Sequence, residues 1–254
     1  FLSMNIEFSS LVNPPHESID TQTTRFSSAE WFNRVRSSNI MLAGVGGIGS
    51  WLALMLSRLN PNEIRLIDPD QVDDSNLAGQ FFSSHDVGKD KVEAVYDFIA
   101  KYSLYRSVSY FTERITMNSN VWRILMCGFD NMSARRTAFE CWKRRVEDLR
   151  PEQRHTTLFI DGRLSAENLQ VFCMTGTDTF YMKEYEEKWL FSDEEAESTV
   201  CSYKQTSYCA NLIASIMTNL FVNWITNQCS PLVERSLPFF TEYTAEQMFL
   251  KTEV

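Results

Sequence analysis

Residues 39–49 read NIMLAGVGGIG, a short apolar run that leads into four glycines within six positions. Residues 50–59, SWLALMLSRL, place apolar side chains at helical spacing, and residues 63–67, EIRLI, form a second apolar run that ends at Asp68. Short apolar runs bounded by glycine or by an acid are typical of strands buried in a parallel sheet. The stretch therefore predicts a strand, a glycine turn, a helix and a second strand, in that order.

The glycines and Asp68 predict a nucleotide site at the end of the first strand. Gly44 permits a tight turn, Gly46 lets the backbone approach a phosphate, and Gly49 lets the helix pack closely on the strand. The helix begins with unpaired N–H groups and the positive end of its dipole, which attract phosphate oxygens. Asp68 follows at the distance where a carboxylate accepts hydrogen bonds from ribose hydroxyls.

A more specific pattern continues beyond the second strand. Residues 68–80 read DPDQVDDSNLAGQ and residues 88–91 read GKDK. This stretch resembles the signature of the ThiF/MoeB/HesA superfamily of ubiquitin-activating-enzyme-like adenylyltransferases, roughly D-x-D-x-V-x-x-S-N-L-x-R-Q followed by G-x-x-K. The resemblance is close over residues 39–91 and loose over residues 25–230. It implies ATP-dependent adenylation of a C-terminal carboxylate, usually that of a ubiquitin-like protein ending in Gly-Gly, with release of pyrophosphate.

The expected fold class is α/β: a Rossmann-like, doubly wound, mostly parallel sheet with helices on both faces and a short C-terminal antiparallel extension. We expect an N-terminal arm over residues 1–24 and a single nucleotide-binding domain over residues 25–254. The resemblance implies a crossover loop at about residues 185–206, over which the substrate's tail threads. The spacing of apolar residues predicts helices over 27–36, 89–102, 133–149 and 207–228, and strands over 107–111, 123–129, 156–160, 170–174 and within 238–253. Ser27 and Glu30 have the spacing of a capping box for the first of these helices.

The resemblance also implies a role for each residue that matches the family pattern. Lys91 matches the lysine of G-x-x-K, which contacts phosphate, and Lys89 is an alternative to it. Asn76 matches the family asparagine near the phosphates, and Gln80 the glutamine that closes the motif. The expected nucleotide-binding set is Gly44, Gly46, Gly47, Gly49, Asp68, Asp70, Asn76, Gln80 and Lys91.

Asp130 is the expected ligand of a magnesium ion. It follows the apolar run of residues 123–129, and the family ends this strand with an aspartate that binds the magnesium bridging the ATP phosphates. A carboxylate at the carboxyl edge of a strand, beside the phosphate turn, is a suitable place for a hard cation. The alternative is that Asp130 caps the helix that follows it.

One departure from the family pattern concerns phosphate-directed charge. Gly79 stands where the family has the arginine of N-L-x-R-Q, and such a group contributes to transition-state stabilisation. Arg163, at the predicted end of a strand, is our candidate for replacing it. Alternatively the chain is a catalytically silent subunit with the same fold. Relatives also carry an arginine before the first strand that reaches into a partner's ATP site, and Arg25, Arg34 or Arg36 could fill that role.

Cys201 is a candidate nucleophile for a thioester step. The resemblance places such a cysteine near the crossover loop, and Cys201 precedes the long predicted helix. A thiolate there could attack an acyl-adenylate, although Lys204 is the one nearby basic residue in sequence. Cys209, on the helix itself, is expected to be packed.

Composition limits the classes of partner and cofactor. A net charge of −9 without a basic block argues against nucleic acid. The six cysteines include no C-x-x-C pair and the three histidines are far apart, so we expect free thiols, a cytoplasmic location and no zinc. The apolar stretch of residues 209–225 contains several polar residues and is interpreted as a buried helix rather than a membrane span.

The resemblance implies ATP and Mg²⁺ as cofactors and, as partner, a small protein or peptide with a free C-terminal carboxylate. A homodimer is expected. The weakest alternative is an NAD-dependent dehydrogenase, the default for an isolated glycine fingerprint. It does not account for the family spacing of Asp70, Asn76, Gln80 and Lys91.

Overall fold

The computed structural model describes residues 21–192 and 206–253, and an eight-stranded sheet organises them. The strands follow the order β3-β2-β1-β4-β5-β6-β7-β8 across the sheet. Neighbours among β1 to β5 pair in parallel, whereas β5 to β8 pair antiparallel. The strands are β1 (Asn39–Ala43), β2 (Glu63–Ile67), β3 (Val108–Phe111), β4 (Ile124–Cys127), β5 (Leu158–Ser165), β6 (Asn168–Thr175), β7 (Phe240–Thr244) and β8 (Phe249–Glu253).

Six α-helices of the described chain cover the sheet. They are α1 (Phe32–Arg36), α2 (Gly47–Leu59), α3 (Lys91–Tyr102), α4 (Met132–Glu147), α5 (Thr179–Glu184) and α6 (Ser207–Asn227). The parallel half, helices on both faces and antiparallel C-terminal strands confirm the predicted fold class. The strand order 3-2-1-4-5 reverses direction between β1 and β4, and ligands of doubly wound sheets bind beside such a reversal.

The two faces of the sheet form two hydrophobic clusters. Ile40 and Leu42 of β1 point to one face, where they pack with α2, α3 and α6. Met41 and Ala43 point to the other face, where they pack with α4 and α5. This alternation follows from the two-residue period of a strand. It explains why the central strands are apolar throughout, since neither face of them meets solvent.

Two of the predicted elements have the wrong boundaries. The first helix begins only at Phe32, and its N-cap residue Trp31 makes no side-chain capping bond. Ser27 instead donates its hydroxyl back to the carbonyl of Thr24, at 3.4 Å, so it does not form a capping box with Glu30. The second error is the end of β5, which continues to Ser165 because antiparallel pairing with β6 extends the ladder.

The long apolar helix α6 belongs to the core. By length and composition it could cross a membrane, but 61% of its most apolar window is buried. Ile213, Met217 and Phe221 pack in the cluster that also contains α2 and α3. These features are typical of the central helix of a soluble domain.

Candidate nucleotide site

The glycine turn is held by close backbone approaches. Gly44 adopts a left-handed φ of +81°, and its N–H donates to the carbonyl of Ile67 at 2.9 Å. A β-carbon on Gly44 would lie 2.9 Å from the carbonyl carbon of Gly128, which follows β4. A β-carbon on Gly49 would lie 2.0 Å from the carbonyl oxygen of Gly44. The turn therefore brings β1, β4 and the start of α2 together at distances that only glycine permits.

A cavity of about 550 Å³ opens at this turn, beside the point where the strand order reverses. α2 begins there, and its N-cap residue Gly46 leaves the first N–H groups without a side-chain partner. Such a helix start can receive phosphate oxygens. Eight of the predicted site residues line the cavity: Gly44, Gly46, Gly47, Asp68, Asp70, Gln80, Lys91 and Asp130.

Asp68 connects the glycine turn to the end of β2. The N–H of Val45 donates to its Oδ2 at 2.8 Å, and the N–H of Asp70 donates to its Oδ1 at 2.9 Å. The residue is only 6% exposed, and this burial raises the pKa of its carboxyl above the usual value, against the opposing effect of the two N–H donors and Lys91. Each oxygen keeps a lone pair, so Asp68 can still accept ribose hydroxyls.

Lys91 supplies a positive charge inside the cavity. It is the first residue of α3, its N–H donates to the carbonyl of Asp70 at 2.9 Å, and its Nζ lies 3.2 Å from Oδ2 of Asp70. Lys89, the alternative considered from sequence, does not line the cavity, because Asp86 and Asp97 hold its Nζ at 3.1 and 3.0 Å. Of the two candidate lysines, Lys91 is therefore the one that lines the cavity.

Asp130 and Asn131 have different surroundings. Oδ1 of Asn131 accepts the N–H of Ala134 at 2.8 Å, so Asn131 is the N-cap of α4. The alternative that Asp130 caps this helix is wrong. Asp130 is exposed and lines the cavity, where its Oδ1 accepts a hydrogen bond from Asn131 at 3.1 Å. The described residues contain no cluster of three or more metal-binding side chains; one carboxylate suits a magnesium ion that is otherwise held by phosphates and water.

Two residues of the family motif, Asn76 and Gln80, have different surroundings: Gln80 lines the cavity, whereas Asn76 makes a local hydrogen bond. Oδ1 of Asn76 accepts the N–H of Asp73 at 3.0 Å, which completes the capping box of a short 3₁₀ helix whose N-cap is Asp73. Asn76 does not line the cavity. Gln80 lies over the turn, 3.6 Å from where a β-carbon of Gly46 would be, and its buried Oε1 has no hydrogen-bond partner among the described residues. A ligand donor would complete this amide.

The structure does not bring Arg163 to the cavity. Arg163 lies within β5, where its Nε donates to Asp161 at 2.7 Å and its guanidinium carbon lies 4.4 Å from the ring centre of Phe172. It therefore cannot replace the arginine that is missing at Gly79. Gly79 itself is buried, and its carbonyl accepts the indole N–H of Trp51 at 3.3 Å.

Arg114 is an exposed arginine that lines the cavity and was not among the residues predicted from the sequence. It stands three residues beyond the end of β3, at the same edge of the sheet as the glycine turn. The carboxyl ends of parallel strands lie at the same side of the sheet. The position of Arg114 shortly after a predicted strand could therefore have identified it as a cavity residue. Arg25 and Arg34, two of the arginines before the first strand, do not line this cavity.

Cys201 and most of the expected crossover loop lie outside the described residues. The part that is described differs from a loop, because Tyr185–Trp189 continues α5 as a π-helical turn. Tyr185 is fully buried and donates its hydroxyl to Asp161 at 2.8 Å. Cys209 is buried in α6, as expected.

The chain is a doubly wound α/β protein with a cavity at its switch point, the place where ligands of such sheets bind. The chain belongs to the ThiF family, whose profile matches residues 19–253. A stretch of 70 residues is 37% identical to ubiquitin-like modifier-activating enzyme 5 of Xenopus laevis, covering 28% of this chain and 18% of the relative. Another of 112 residues is 33% identical to the NEDD8-activating enzyme E1 catalytic subunit of Caenorhabditis elegans, covering 42% of this chain and 26% of the relative.

Solved structures resemble the chain over nearly its whole length. The crystal structure of PaaA superposes with a TM-score of 0.68 at 19% identity, covering 99% of this chain and 77% of that protein. The crystal structure of E. coli MccB with ATP superposes with a TM-score of 0.68 at 17% identity, covering 92% and 70%. At these identities the likeness shows the fold. The curated relatives are much longer than the stretch that matches them.

Proposed function

We propose that the protein uses ATP to adenylate the C-terminal carboxylate of a small ubiquitin-like protein or peptide, with release of pyrophosphate. The observation that carries this proposal is the convergence of the glycine turn, Asp68, Lys91 and Asp130 on one cavity. Membership of the ThiF family supports adenylation over the dehydrogenase alternative.

Each cavity residue has a distinct part in this reaction. A carboxylate oxygen of the substrate attacks the α-phosphorus of ATP, and the bond to pyrophosphate breaks. The N–H groups at the start of α2 hold phosphate oxygens, and Asp68 holds the ribose. Lys91 neutralises charge that develops on the phosphates, and its ion pair with Asp70 keeps the ammonium aimed into the cavity. A magnesium ion held by Asp130 would mask phosphate charge and favour departure of pyrophosphate.

The names of the relatives support the proposed substrate class. The E. coli MccB structures include one with MccA-N7isoASN, and the curated relatives are named as activating enzymes of ubiquitin-like modifiers. We infer that this chain accepts the flexible C-terminal tail of a peptide or of a ubiquitin-like protein. The proposal extends to a homodimer in the cytoplasm, and to Cys201 as the acceptor if a thioester forms after adenylation.

A second candidate function rests on Gly79. The family arginine is absent, the buried backbone at this position is held by Trp51, and Arg163 faces away from the cavity. Arg114 is the one arginine among the described cavity residues. A chain that binds ATP but lacks this transition-state charge would act as the silent partner of an active subunit.

ATP–pyrophosphate exchange with magnesium tests the proposal. The substrates are small proteins ending in Gly-Gly and short peptides with a free C-terminal carboxylate. Lys91→Ala should lower the exchange rate by about 100-fold or more, as expected when one donor to the transition state is removed. Lys89→Ala is the matched control, because it deletes a lysine two positions away whose charge is held outside the cavity.

The results separate the two candidates. Exchange in the wild type and in Lys89→Ala, but not in Lys91→Ala, supports adenylation at this cavity. Calorimetric ATP binding without exchange for any substrate favours the silent subunit. Absence of ATP binding contradicts both.

A further inference from the structure

A second cavity, of about 480 Å³, lies at the amino ends of the central strands, on the side of the sheet opposite to the glycine turn. It opens between the first residues of β1 and β4, and the last turns of α4 and α6 border it. Its volume falls in the range of small-molecule pockets. The residues that line it are Arg34, Ser37, Ser38, Asn39, Trp122, Arg123, Ile124, Arg145, Thr156, Trp224, Ile225 and Gln228.

The charge of this cavity is opposite to that of the protein. Arg34, Arg123 and Arg145 line it, and none of the described residues that line it is an aspartate or glutamate, although the chain has a net charge of −9. None of the ion pairs among the described residues involves these three arginines. Their charges are therefore not neutralised by carboxylates in this part of the chain.

Two buried donors of the cavity have no acceptor in the part of the chain that the structure describes. They are Nε of Arg145 and Nε2 of Gln228, and leaving a buried donor unpaired is unfavourable. The hydroxyls are already engaged: Ser37 and Ser38 both donate to the carbonyl of Arg34, at 2.9 and 2.8 Å. A ligand that supplies acceptors and negative charge would satisfy both donors.

The helix dipole explains only part of this arrangement. Arginines near helix C-termini compensate the partial negative charge there, about half a unit per helix. A solvent-exposed guanidinium already compensates the helix dipole. The dipole therefore does not explain why N–H groups of this cavity are buried without an acceptor among the described residues. Three full positive charges also exceed the partial charges of the helices that end at the cavity.

We propose that the cavity lined by Arg34, Arg123 and Arg145, the arginine cavity, is a binding site for a small phosphate-bearing anion. It is separate from the cavity at the glycine turn, the ATP cavity. Three guanidiniums match a ligand with more than one negative charge better than a single carboxylate, and a phosphate monoester carries about 1.5 to 2 negative charges at neutral pH. Trp122 and Trp224 on the walls provide apolar surface for an organic group attached to the phosphate.

Inorganic phosphate is the probe, titrated into the full chain while sodium chloride holds the ionic strength constant. Indole ¹H–¹⁵N resonances report the two sites separately: Trp122 and Trp224 line the arginine cavity, whereas Trp51 contacts Gly79 beside the ATP cavity. Trp→Phe variants assign these resonances. Saturable shifts of Trp122 and Trp224 are expected, and they should persist in Lys91→Ala.

Two variants and a matched control locate the site. Arg145→Gln should raise the dissociation constant for phosphate about tenfold, equivalent to about 1.4 kcal/mol, and Arg145→Lys should restore part of the loss. Arg123→Gln should act similarly. Arg150→Gln removes the same charge from an exposed surface arginine and should leave phosphate binding unchanged.

Several results would overturn the proposal. These are a response of Trp51 alone, an equal response to sodium chloride, unchanged binding in folded Arg145→Gln and Arg123→Gln, or saturable shifts with citrate but none with phosphate. The test is independent of adenylation, because the ATP cavity is not needed for it.

Discussion

Gly44 and Gly88 share a left-handed backbone conformation, with φ of +81° and +87°, but their surroundings differ. A β-carbon on Gly44 would lie 2.9 Å from a carbonyl carbon, whereas one on Gly88 would have nothing within 4 Å. Gly88→Ala should therefore cost only the conformational strain, about 1–2 kcal/mol of unfolding free energy. Gly44→Ala should cost clearly more, because the turn must also move away from β4. Urea denaturation of both variants measures the difference.

Equal losses in the two glycine variants would mean that the turn yields easily, and the close approach of β1 and β4 would then not define the cavity. This pair also shows what sequence can supply. The glycine spacing predicted the need for a tight turn, but not that its partner is Gly128, which is 84 positions away.

Asp130 and Asn131 are adjacent residues with separable roles. Asp130→Asn should raise the magnesium concentration needed for pyrophosphate exchange and leave stability nearly unchanged, because Asp130 is exposed and caps nothing. Asn131→Ala should lower the unfolding free energy by about 1 kcal/mol through loss of the N-cap bond to Ala134. Magnesium titration of exchange and urea denaturation measure the two effects.

The reverse outcome, with Asp130→Asn destabilised and its magnesium dependence normal, would assign Asp130 a structural role. From sequence the two roles could not be separated, since both residues follow a strand and precede a helix. Only the direction of the Asn131 side chain, which accepts the N–H of Ala134, distinguishes them.

At the scale of elements, α4 is fixed to β5 by a buried ionic network. Asp161 is fully buried and accepts hydrogen bonds from Arg135 of α4, from Nε of Arg163 at 2.7 Å and from the hydroxyl of Tyr185 at 2.8 Å. Arg135 also donates to the carbonyl of Phe129, next to Asp130. The network therefore holds the backbone of Phe129, which lines the cavity next to Asp130, in place.

Asp161→Asn should lower the unfolding free energy by about 3–5 kcal/mol, because it leaves two buried guanidiniums without a counter-charge. Glu152→Gln is the matched control: its partner Arg150 is 3.3 Å away, and the two side chains are 64% and 73% exposed. An exposed pair contributes about 1 kcal/mol or less. Similar losses in both variants, measured by urea denaturation, would show that the network has little energetic weight.

The end of β5 was predicted wrongly because the residues of this network, Asp161 and Arg163, belong to the strand itself. Asp161-Gly162-Arg163 was predicted to follow the strand, since a polar triplet after an apolar run is typical of a strand's end. Pairing with β6 keeps these residues in the sheet, and the charges are tolerated because they neutralise one another. Pairing between distant segments and charge compensation are tertiary facts that local patterns do not contain.

For the molecule as a whole, periodicity predicted most helices and strands, because each central strand is apolar on both faces. It could not predict which edge of the sheet would be exposed. Within residues 21–192 and 206–253, β8 pairs only with β7, and all its residues are exposed, including Phe249 and Leu250. Unpaired edges of this kind expose backbone groups to solvent.

Amide hydrogen exchange should follow this gradient across the sheet. β1 and β4 pair on both sides and are almost wholly buried, so exchange there should require global unfolding. β8 should exchange fastest among the strands, through local opening alone, and β3 at the other edge should be intermediate because half of it is partly buried. Mass spectrometry of peptides covering 39–43, 124–127, 108–111 and 249–253 measures this order. If β8 is protected as strongly as β1, and loses that protection on dilution, a second copy of the chain covers this edge in solution, which would support the expected homodimer.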